Sequence, residues 1–291
     1  MVKILLYSSQ LAAFIGRNPH TSPSRIFNKL FEKYYEKELL GIKSMKRMRD
    51  INVGDGGVIE NFSSKMVHNK DFRFKLDTLC KNNLSSIDLK KEAESFVSKV
   101  LEVEKLSKED SEMLKKAVEG YTNKTFGTIR EVNVVDVYRE RMGVDVVTKL
   151  QSRVKTVYEY EGNELMLISK IDAMKMDGTV LEIKNRMYKI FEEVREYEWL
   201  QVQAYLEVYN LERAELVEFL KVGDGEMKVN EIGRDRRYWG EIVMKDLGNY
   251  FRVMIRLVGD VKKLKKYVGM TETEQNEMIK KMVRREVKTG F

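Results

Sequence analysis

The spacing of hydrophobic and polar residues divides the chain into helical stretches and one strand-rich stretch. Residues 24–50 and 66–120 place apolar side chains every three or four positions among charged ones, a pattern that predicts amphipathic helices. The same period continues to Gly143, where we expect a helix to end. The two prolines, Pro19 and Pro23, lie close together near the start. We therefore expect a turn there and long helices after it.

The period shortens after Gly143 to that of β-strands. Residues 154–184 are rich in β-branched and aromatic side chains and contain the turn signals "EGN" and "DG", which predict three strands in an antiparallel meander. The later segments are predicted to be a helix, a strand and a helix, over 192–210, 213–222 and 236–266. This order predicts an α/β (α+β) fold in which a central mixed sheet, containing the meander, is flanked by helices.

Composition and charge favour some partners and exclude several kinds of site. The 291 residues are 43% hydrophobic and carry a net charge of +7, which favours polyanionic partners. A single cysteine, Cys80, excludes an internal disulfide, a four-cysteine zinc site and a cysteine-ligated iron–sulfur cluster. The apolar run at the start is interrupted by "YSSQ" before it reaches the length of a signal peptide or membrane span. We expect a cytoplasmic protein without a membrane partner, located in the host cytoplasm or nucleus if the source is a virus.

Chemistry is suggested by "LEIKNR", in which Glu182 and Lys184 lie two positions apart and so face one side of a strand. Alone, the pair is most simply a surface salt bridge. A two-residue turn would place Asp172 on the opposite face, whereas a three-residue turn with Gly178 left-handed pairs Asp172 directly with Glu182. Two carboxylates so close together favour a divalent cation, and oxygen ligands favour Mg²⁺ or Mn²⁺.

These residues resemble a known nuclease core. Asp172, nine intervening residues and then Glu182-Ile183-Lys184 are similar to the metal-binding motif of the PD-(D/E)xK nuclease superfamily. In that superfamily an acid-bearing helix precedes the strand pair, and Glu131 in "GTIRE" matches it. The resemblance implies that Asp172, Glu182 and the Ile183 carbonyl hold a metal ion, and that Glu131 helps to hold a second, as in two-metal hydrolysis.

A glutamine on the following helix completes the superfamily pattern, and Gln201 matches it. Gln201-x-x-x-Tyr205 is similar to the RecB-type motif, whereas Gly127-x-x-x-Glu131 with "LEIK" and "QVQ" resembles the lambda exonuclease and YqaJ viral recombinase branch. The start "YSSQLAAFIG" resembles the Ser-containing helix start of that branch, which makes Ser9 a candidate DNA contact.

The resemblance also implies roles for the remaining polar residues. Lys184 would orient or stabilise the attacking hydroxide, and Gln201 would position Lys184 or the scissile phosphate. Tyr205, one turn after Gln201, either reaches a phosphate or base or packs on the sheet. Arg186 and Lys189 follow the strand directly, where they either contact DNA phosphates or are solvated charges.

Taken together, the motifs imply a Mg²⁺-dependent or Mn²⁺-dependent exonuclease with one or two ions, acting on linear double-stranded DNA. Such an enzyme would serve recombination or repair in a virus or phage, beside a single-strand annealing protein; a homo-oligomer is left open. Residues 1–120 would form a mainly helical region packed on a nuclease core at 121–291, as one compact unit. The alternatives are a RecB-like nuclease without an iron–sulfur cluster, a viral RNA endonuclease, and a non-catalytic nucleic-acid-binding protein.

Overall fold

The computed structural model describes residues 2–39, 71–81, 86–186, 188–220 and 225–289, together with Ile59, Phe62, Met66 and Asn69. Within the helices, the side chains of residues 81, 86, 87, 124, 126–133 and 289 fall outside this description. The described residues form eleven α-helices: α1 Leu11–Phe14, α2 Pro23–Tyr34, α3 Glu36–Leu39, α4 Phe72–Lys81, α5 Ser86–Glu104, α6 Lys108–Met142, α7 Glu196–Tyr209, α8 Arg236–Tyr238, α9 Met244–Gly259, α10 Val261–Val268 and α11 Glu272–Thr289. A 3₁₀ turn, Ser8–Gln10, precedes α1, and a π-helical turn, Trp239–Val243, precedes α9.

Eight strands form two mixed sheets within the described residues: β1 Lys3–Tyr7, β2 Val146–Thr148, β3 Arg153–Tyr160, β4 Asn163–Ser169, β5 Ala173–Lys175, β6 Val180–Arg186, β7 Arg213–Leu220 and β8 Glu226–Gly233. One sheet has the order β1-β4-β3 and the other the order β2-β5-β6-β7-β8. The β1–β4 and β6–β7 pairs are parallel, and the others are antiparallel. The predicted α/β class with mixed sheets is therefore confirmed. The predicted three-stranded meander is instead divided into two antiparallel hairpins, β3–β4 in one sheet and β5–β6 in the other.

The strand that was predicted to be continuous through Asp172 is broken there. β4 belongs to one sheet and β5 to the other, and Asp172 lies in the short segment between them. The chain therefore leaves one sheet and enters the other at the aspartate. A strand break puts this side chain outside the regular hydrogen-bond ladder, where its position depends on tertiary contacts rather than on pleat alternation alone.

The hairpin from β5 to β6 has the turn that the sequence predicts. Lys175 donates its N–H to the Thr179 carbonyl at 2.9 Å, and the three residues between them form the loop. Gly178 has a φ of 85°, the left-handed conformation that glycine adopts without a Cβ penalty. The register then pairs Met174 with Val180. The prediction of a three-residue loop is confirmed, and it sets which side chains of β6 face the segment before β5.

The five-stranded sheet is covered by α6 on one face and α7 on the other. The α6 face is apolar, and its buried cluster comprises Val134, Val135, Tyr138, Val146, Ala173, Leu181, Ile183, Val217 and Phe219. On the α7 face, Leu200, Tyr205 and Leu206 belong to the main core together with Leu216 of β7. Alternation along β6 sends Leu181 and Ile183 to the first face. Glu182 and Lys184 consequently face α7.

Helix boundaries follow local capping signals. α6 begins after Ser107, whose side chain accepts the Asp110 N–H at 3.1 Å, and ends at Gly143, which is left-handed as expected. The single helix predicted over 236–266 is wrong in one respect, because Asp260 interrupts it. The Asp260 carboxylate accepts the N–H groups of Lys262 and Lys263 and so starts α10 as a separate helix.

A separate buried cluster lies in the helical part of the chain and comprises Ile59, Phe62, Met66, Phe72, Leu76, Ala93, Val97, Val100, Leu114, Ala117 and Val118. Residues 2–39, by contrast, pack into the main core, with Ile4, Phe14 and Phe27 fully buried there. The boundary expected near residue 120 falls inside α6, which contributes to this helical cluster and to the sheet. No helix in the described part of the chain is long and apolar enough to cross a membrane.

Candidate active site

Asp172 and Glu182 lie opposite each other at the strand break. The register pairs Ala173 with Leu181, and one further step along both strands brings Asp172 beside Glu182. The Asp172 carboxylate is fixed to the neighbouring strand, because its Oδ2 accepts the Ile183 N–H at 2.8 Å. The Asp172 carboxylate therefore lies against the strand that carries Glu182, and both carboxylates act on the charge of Lys184.

Glu182 is buried, with only 3% of its surface exposed, and its two oxygens are in different environments. Oε1 accepts hydrogen bonds from Lys184 Nζ at 2.5 Å and from Gln201 Nε2 at 2.8 Å. Oε2 is equally buried, yet it accepts no hydrogen bond from the described residues. A buried carboxylate oxygen without a partner is costly in a folded protein and is usually explained by an ion, a water molecule or a functional role.

Gln201 links the strand to α7. Its Oε1 accepts a hydrogen bond from Lys184 Nζ at 3.3 Å, while its Nε2 donates to Glu182 and, at 2.5 Å, to the Tyr205 hydroxyl. Because the amide bonds both members of the Glu182–Lys184 pair, it restricts the orientation of each. The predicted proximity of Gln201 and Lys184 is therefore present in the structure.

Tyr205 packs into the core one helical turn from Gln201 and is 4% exposed. Burial and the nearby Glu182 carboxylate raise the pKa of its hydroxyl well above the usual value. The phenol therefore stays protonated at neutral pH. Of the two roles considered from the sequence, the geometry matches packing on the sheet, with the hydroxyl directed to the Gln201 amide.

Lys184 stays charged despite partial burial. Burial by itself lowers the pKa of its amine, but the adjacent Glu182 carboxylate, followed by Glu198 and Asp172, raises it above the usual value. The Lys184 side chain is 23% exposed. A fixed cation beside two carboxylates is suited to binding an anion.

Arg186, the next residue on this face of β6, is enclosed by carboxylates. It makes two 2.8 Å hydrogen bonds to Glu198 of α7, and its Nε donates to Glu218 of β7 at 2.7 Å. Its side chain is 11% exposed, while those of Glu198 and Glu218 are 4% and 0% exposed. A DNA phosphate could contact this guanidinium only by displacing one of them.

The other predicted residues lie around this centre. Lys189 is exposed in the segment after β6. Ser9 is exposed in the 3₁₀ turn after β1, and its neighbour Ser8 bonds the hydroxyl of Ser169 at 2.5 Å, three residues before Asp172. Glu131 belongs to α6, but its side chain lies outside the described residues.

Glu198 and Glu218 were not singled out from the sequence. A signal for Glu198 exists, because Glu198, Gln201 and Tyr205 follow one another at spacings of three and four residues along α7. That spacing places all three on one face of the helix, toward β6. Glu218 has no comparable local signal, because its partner Arg186 becomes its neighbour only through parallel pairing of β6 with β7.

The charge balance of this face suits a divalent cation. Asp172, Glu182, Glu198 and Glu218 supply four carboxylates, while Lys184 and Arg186 supply two positive charges. Among the residues whose side chains are described, no group of three or more His, Cys, Asp or Glu converges as a metal site. Asp172 and Glu182 supply two oxygen donors to such a site, and any contribution of Glu131 lies outside the described side chains.

Comparison with known proteins gives structural similarities only. No family model and no curated protein matches the chain. An alkaline exonuclease, LHK-Exo, from Laribacter hongkongensis is similar to it with a TM-score of 0.40 and 10% identity, over 66% of this chain and 92% of that one. LHK-Exo in complex with dAMP gives a TM-score of 0.38 and 11% identity, over 67% and 92% of the two chains. The protein SSO0001 gives 0.35 and 16%, over 67% and 88%. The residues of the candidate site are assigned from their contacts within this chain alone.

Proposed function

We propose that this chain is a metal-dependent nuclease that hydrolyses phosphodiester bonds of DNA at Asp172 and Glu182. The observation that carries the proposal is that Glu182 Oε2 is buried and has no hydrogen-bond partner among the described residues. Glu182 lies on β6, the strand whose Ile183 N–H binds the Asp172 carboxylate. Lys184 places a positive charge at the same point. Two carboxylates, a lysine and a buried oxygen without a donor form a set that can bind a cation and a phosphate together.

Asp172 and Glu182 would hold Mg²⁺ or Mn²⁺ through their carboxylates, because these hard cations prefer oxygen ligands. The Ile183 carbonyl is a third donor. Its N–H points to Asp172, and the N–H and C=O of one strand residue point to the same edge. Glu131 is proposed as a further ligand, for a second ion. When bound, such an ion would polarise the phosphodiester and make a water molecule more acidic.

The polar residues around the carboxylates would hold the reacting groups in place. Lys184, charged at neutral pH, would attract the scissile phosphate and stabilise negative charge on the attacking oxygen. Gln201 would keep the Lys184 ammonium and the Glu182 carboxylate in their orientations through its bonds to both. Tyr205 would in turn fix the Gln201 amide, which already donates to its hydroxyl.

The finer proposal is a processing role at DNA ends. The order of Glu131, Asp172, Glu182, Lys184 and Gln201 resembles that of exonucleases of the lambda and YqaJ branch, which implies degradation of one strand of linear duplex DNA. The net charge of +7 is suited to a polyanionic substrate. A role in recombination or repair in a virus or phage, with a single-strand annealing protein as partner and with a homo-oligomeric assembly, belongs to the same proposal.

Incubation with end-labelled linear duplex and with covalently closed circular duplex tests both the metal-dependent hydrolysis of DNA and the action at DNA ends. Linear DNA should disappear in Mg²⁺ or Mn²⁺ and persist in EDTA or Ca²⁺, since Ca²⁺ binds oxygen ligands with looser geometry. Closed circles should persist throughout. Rapid loss of circles would indicate an endonuclease instead of an exonuclease. Preferential cutting of single-stranded RNA, incubated under the same conditions, would favour the RNA endonuclease. The absence of any metal-dependent cleavage would refute the nuclease.

A further inference from the structure

The segment between β6 and α7 contains an aromatic ring contacted by several cations. Phe191 has the Arg195 guanidinium at 4.0 Å and the Arg186 guanidinium at 4.5 Å from its ring centre, and the Lys189 ammonium at 5.8 Å. Contacts of this kind attract a cation electrostatically to the face of an aromatic ring. The ring therefore favours positions of these side chains in which their charges lie close to it.

The backbone of Phe191 is held in place by hydrogen bonds to side chains of the sheet. The Phe191 N–H donates to Glu218 of β7 at 3.3 Å, and its carbonyl accepts a hydrogen bond from Lys228 of β8 at 2.8 Å. Lys228 also donates to the Glu192 carbonyl at 2.5 Å. Two strands thus anchor the backbone that presents the cations. Groups that are fixed before binding lose less conformational entropy when a ligand arrives.

The cations that contact Phe191 differ in whether a carboxylate neutralises their charge. Arg186 is compensated by Glu198 and Glu218. Lys189 and Arg195 are exposed, and neither has a carboxylate within ion-pair distance in the described part of the chain. Both charges are thus presented to solvent, and the next anion to approach would meet them directly. An uncompensated, oriented lysine–arginine pair is suited to phosphate groups.

The pair lies next to the candidate active site. Arg186 is two residues beyond Lys184 on the same face of β6, about 7 Å along the strand, and its guanidinium contacts the Phe191 ring. Arg195 also lines an open groove of about 450 Å³, together with residues 16–19, Glu196 and Tyr197. A nucleic-acid strand leaving Lys184 could therefore follow Phe191 into the groove. Arg17 in the groove is already paired with Asp246 and with Glu196, so the Glu196 carboxylate is neutralised there.

We infer that Lys189 and Arg195, oriented by Phe191, form a binding track for the phosphodiester backbone of DNA that extends from the candidate active site into this groove. The inference rests on the proposed function, because it assumes a DNA substrate at Lys184. Phosphate contacts fix the register of a strand without reading its bases. The track would hold the strand beside the carboxylates whatever its sequence.

Binding of a short fluorescein-labelled duplex, followed by anisotropy in EDTA from about 50 to about 200 mM KCl, tests the track without cleavage. The double variant Lys189→Gln/Arg195→Gln should lower the magnitude of the log K against log[salt] slope by about two, and weaken binding roughly tenfold or more, because each lost phosphate contact removes about 0.9 from the slope. Phe191→Leu keeps both charges, so it should weaken binding about two- to fivefold with little change in slope.

The matched control is Lys265→Gln/Lys266→Gln, which removes the same charge from exposed positions of α10. It should retain the wild-type slope. If the α10 variant loses the slope and the Lys189/Arg195 variant does not, the track is refuted while the proposed function stands. This outcome would result if the exposed carboxylates Glu192 and Glu193, in the same segment as Lys189 and Arg195, repelled the phosphate backbone. A wild-type protein that shows no salt-dependent binding would overturn the proposed function and the track together.

Discussion

The Asp172 Oδ2 accepts the Ile183 N–H at 2.8 Å, so the aspartate is fixed to the backbone of the strand that carries Glu182. This bond joins the strand break to β6 one residue beyond the glutamate. It holds the Asp172 carboxylate beside the strand that carries Glu182, although the aspartate does not belong to a regular strand. The position of this carboxylate therefore depends on the break between β4 and β5 as much as on the turn at Gly178.

Mn²⁺ binding should depend on both carboxylates. Asp172→Asn and Glu182→Gln should each weaken Mn²⁺ binding by more than about tenfold, because each removes a charged oxygen donor. Electron paramagnetic resonance of free Mn²⁺ measures this without any substrate. Asp177→Asn is the matched control, since its exposed carboxylate lies in the same hairpin turn and accepts hydrogen bonds there from the Thr179 N–H and Arg213. Equal affinity in all variants would place the ion elsewhere.

Gln201→Met should lower kcat about 10- to 100-fold while DNA binding changes little, because the amide orients the Glu182 carboxylate and the Lys184 ammonium. Tyr205→Phe removes only the hydroxyl that fixes the amide. Its loss should be about tenfold or less, the equivalent of one hydrogen bond. Single-turnover rates at saturating protein separate these effects from affinity. A Tyr205→Phe variant that is slower than Gln201→Met would reverse the proposed order of roles.

Arg186→Met should destabilise the fold by about 3–5 kcal/mol, because it leaves Glu198 and Glu218 buried without a compensating charge. The melting temperature should fall by on the order of 10 °C in thermal unfolding followed by circular dichroism. Arg237→Met is the comparison: this arginine is 84% exposed and pairs with Glu241 at the surface, so its loss should change melting little. Equal melting of both variants would contradict the buried network.

Cys80 should react slowly with thiol reagents in the folded protein. Burial and the nearby Asp77 carboxylate, partly offset by Arg73, raise the pKa of its thiol to about 11. At pH 8 roughly one thiol in a thousand is then ionised, about a hundredfold fewer than at the usual value. The reaction should accelerate as pH rises toward 11 and on unfolding. Because the chain has one cysteine, a fast native reaction with Ellman's reagent would contradict the burial of Cys80 in the folded protein.

The sequence was sufficient where a property depends on neighbouring residues. The alternation of β6, the left-handed Gly178, the end of α6 at Gly143 and the strand over 213–220 follow from local pattern and turn chemistry. The pairing of Asp172 with Glu182 could be derived from these, because hairpin register is set by the turn. The candidate core of the site was therefore predictable from one segment of about thirty residues.

Contacts between distant segments could not be derived in this way. Arg186 was expected to be either solvated or bound to DNA, because a charge after a strand has no visible partner in the sequence. Parallel pairing of β6 with β7 and the packing of α7 bring Glu218 and Glu198 to it. The strand break at Asp172 and the parallel addition of β1 to β4 likewise arise from tertiary packing.

Cleavage of end-labelled linear duplex in Mg²⁺ by wild-type protein, Glu182→Gln and Asp177→Asn, with duplex binding measured in parallel, is the most informative single experiment. We expect wild type and Asp177→Asn to release labelled nucleotides at similar rates, and Glu182→Gln to bind duplex normally but to lose at least about a thousandfold in rate, the scale of losing one electrostatic contact in the transition state. Glu182→Gln turning over at the wild-type rate would contradict the assignment of the active site.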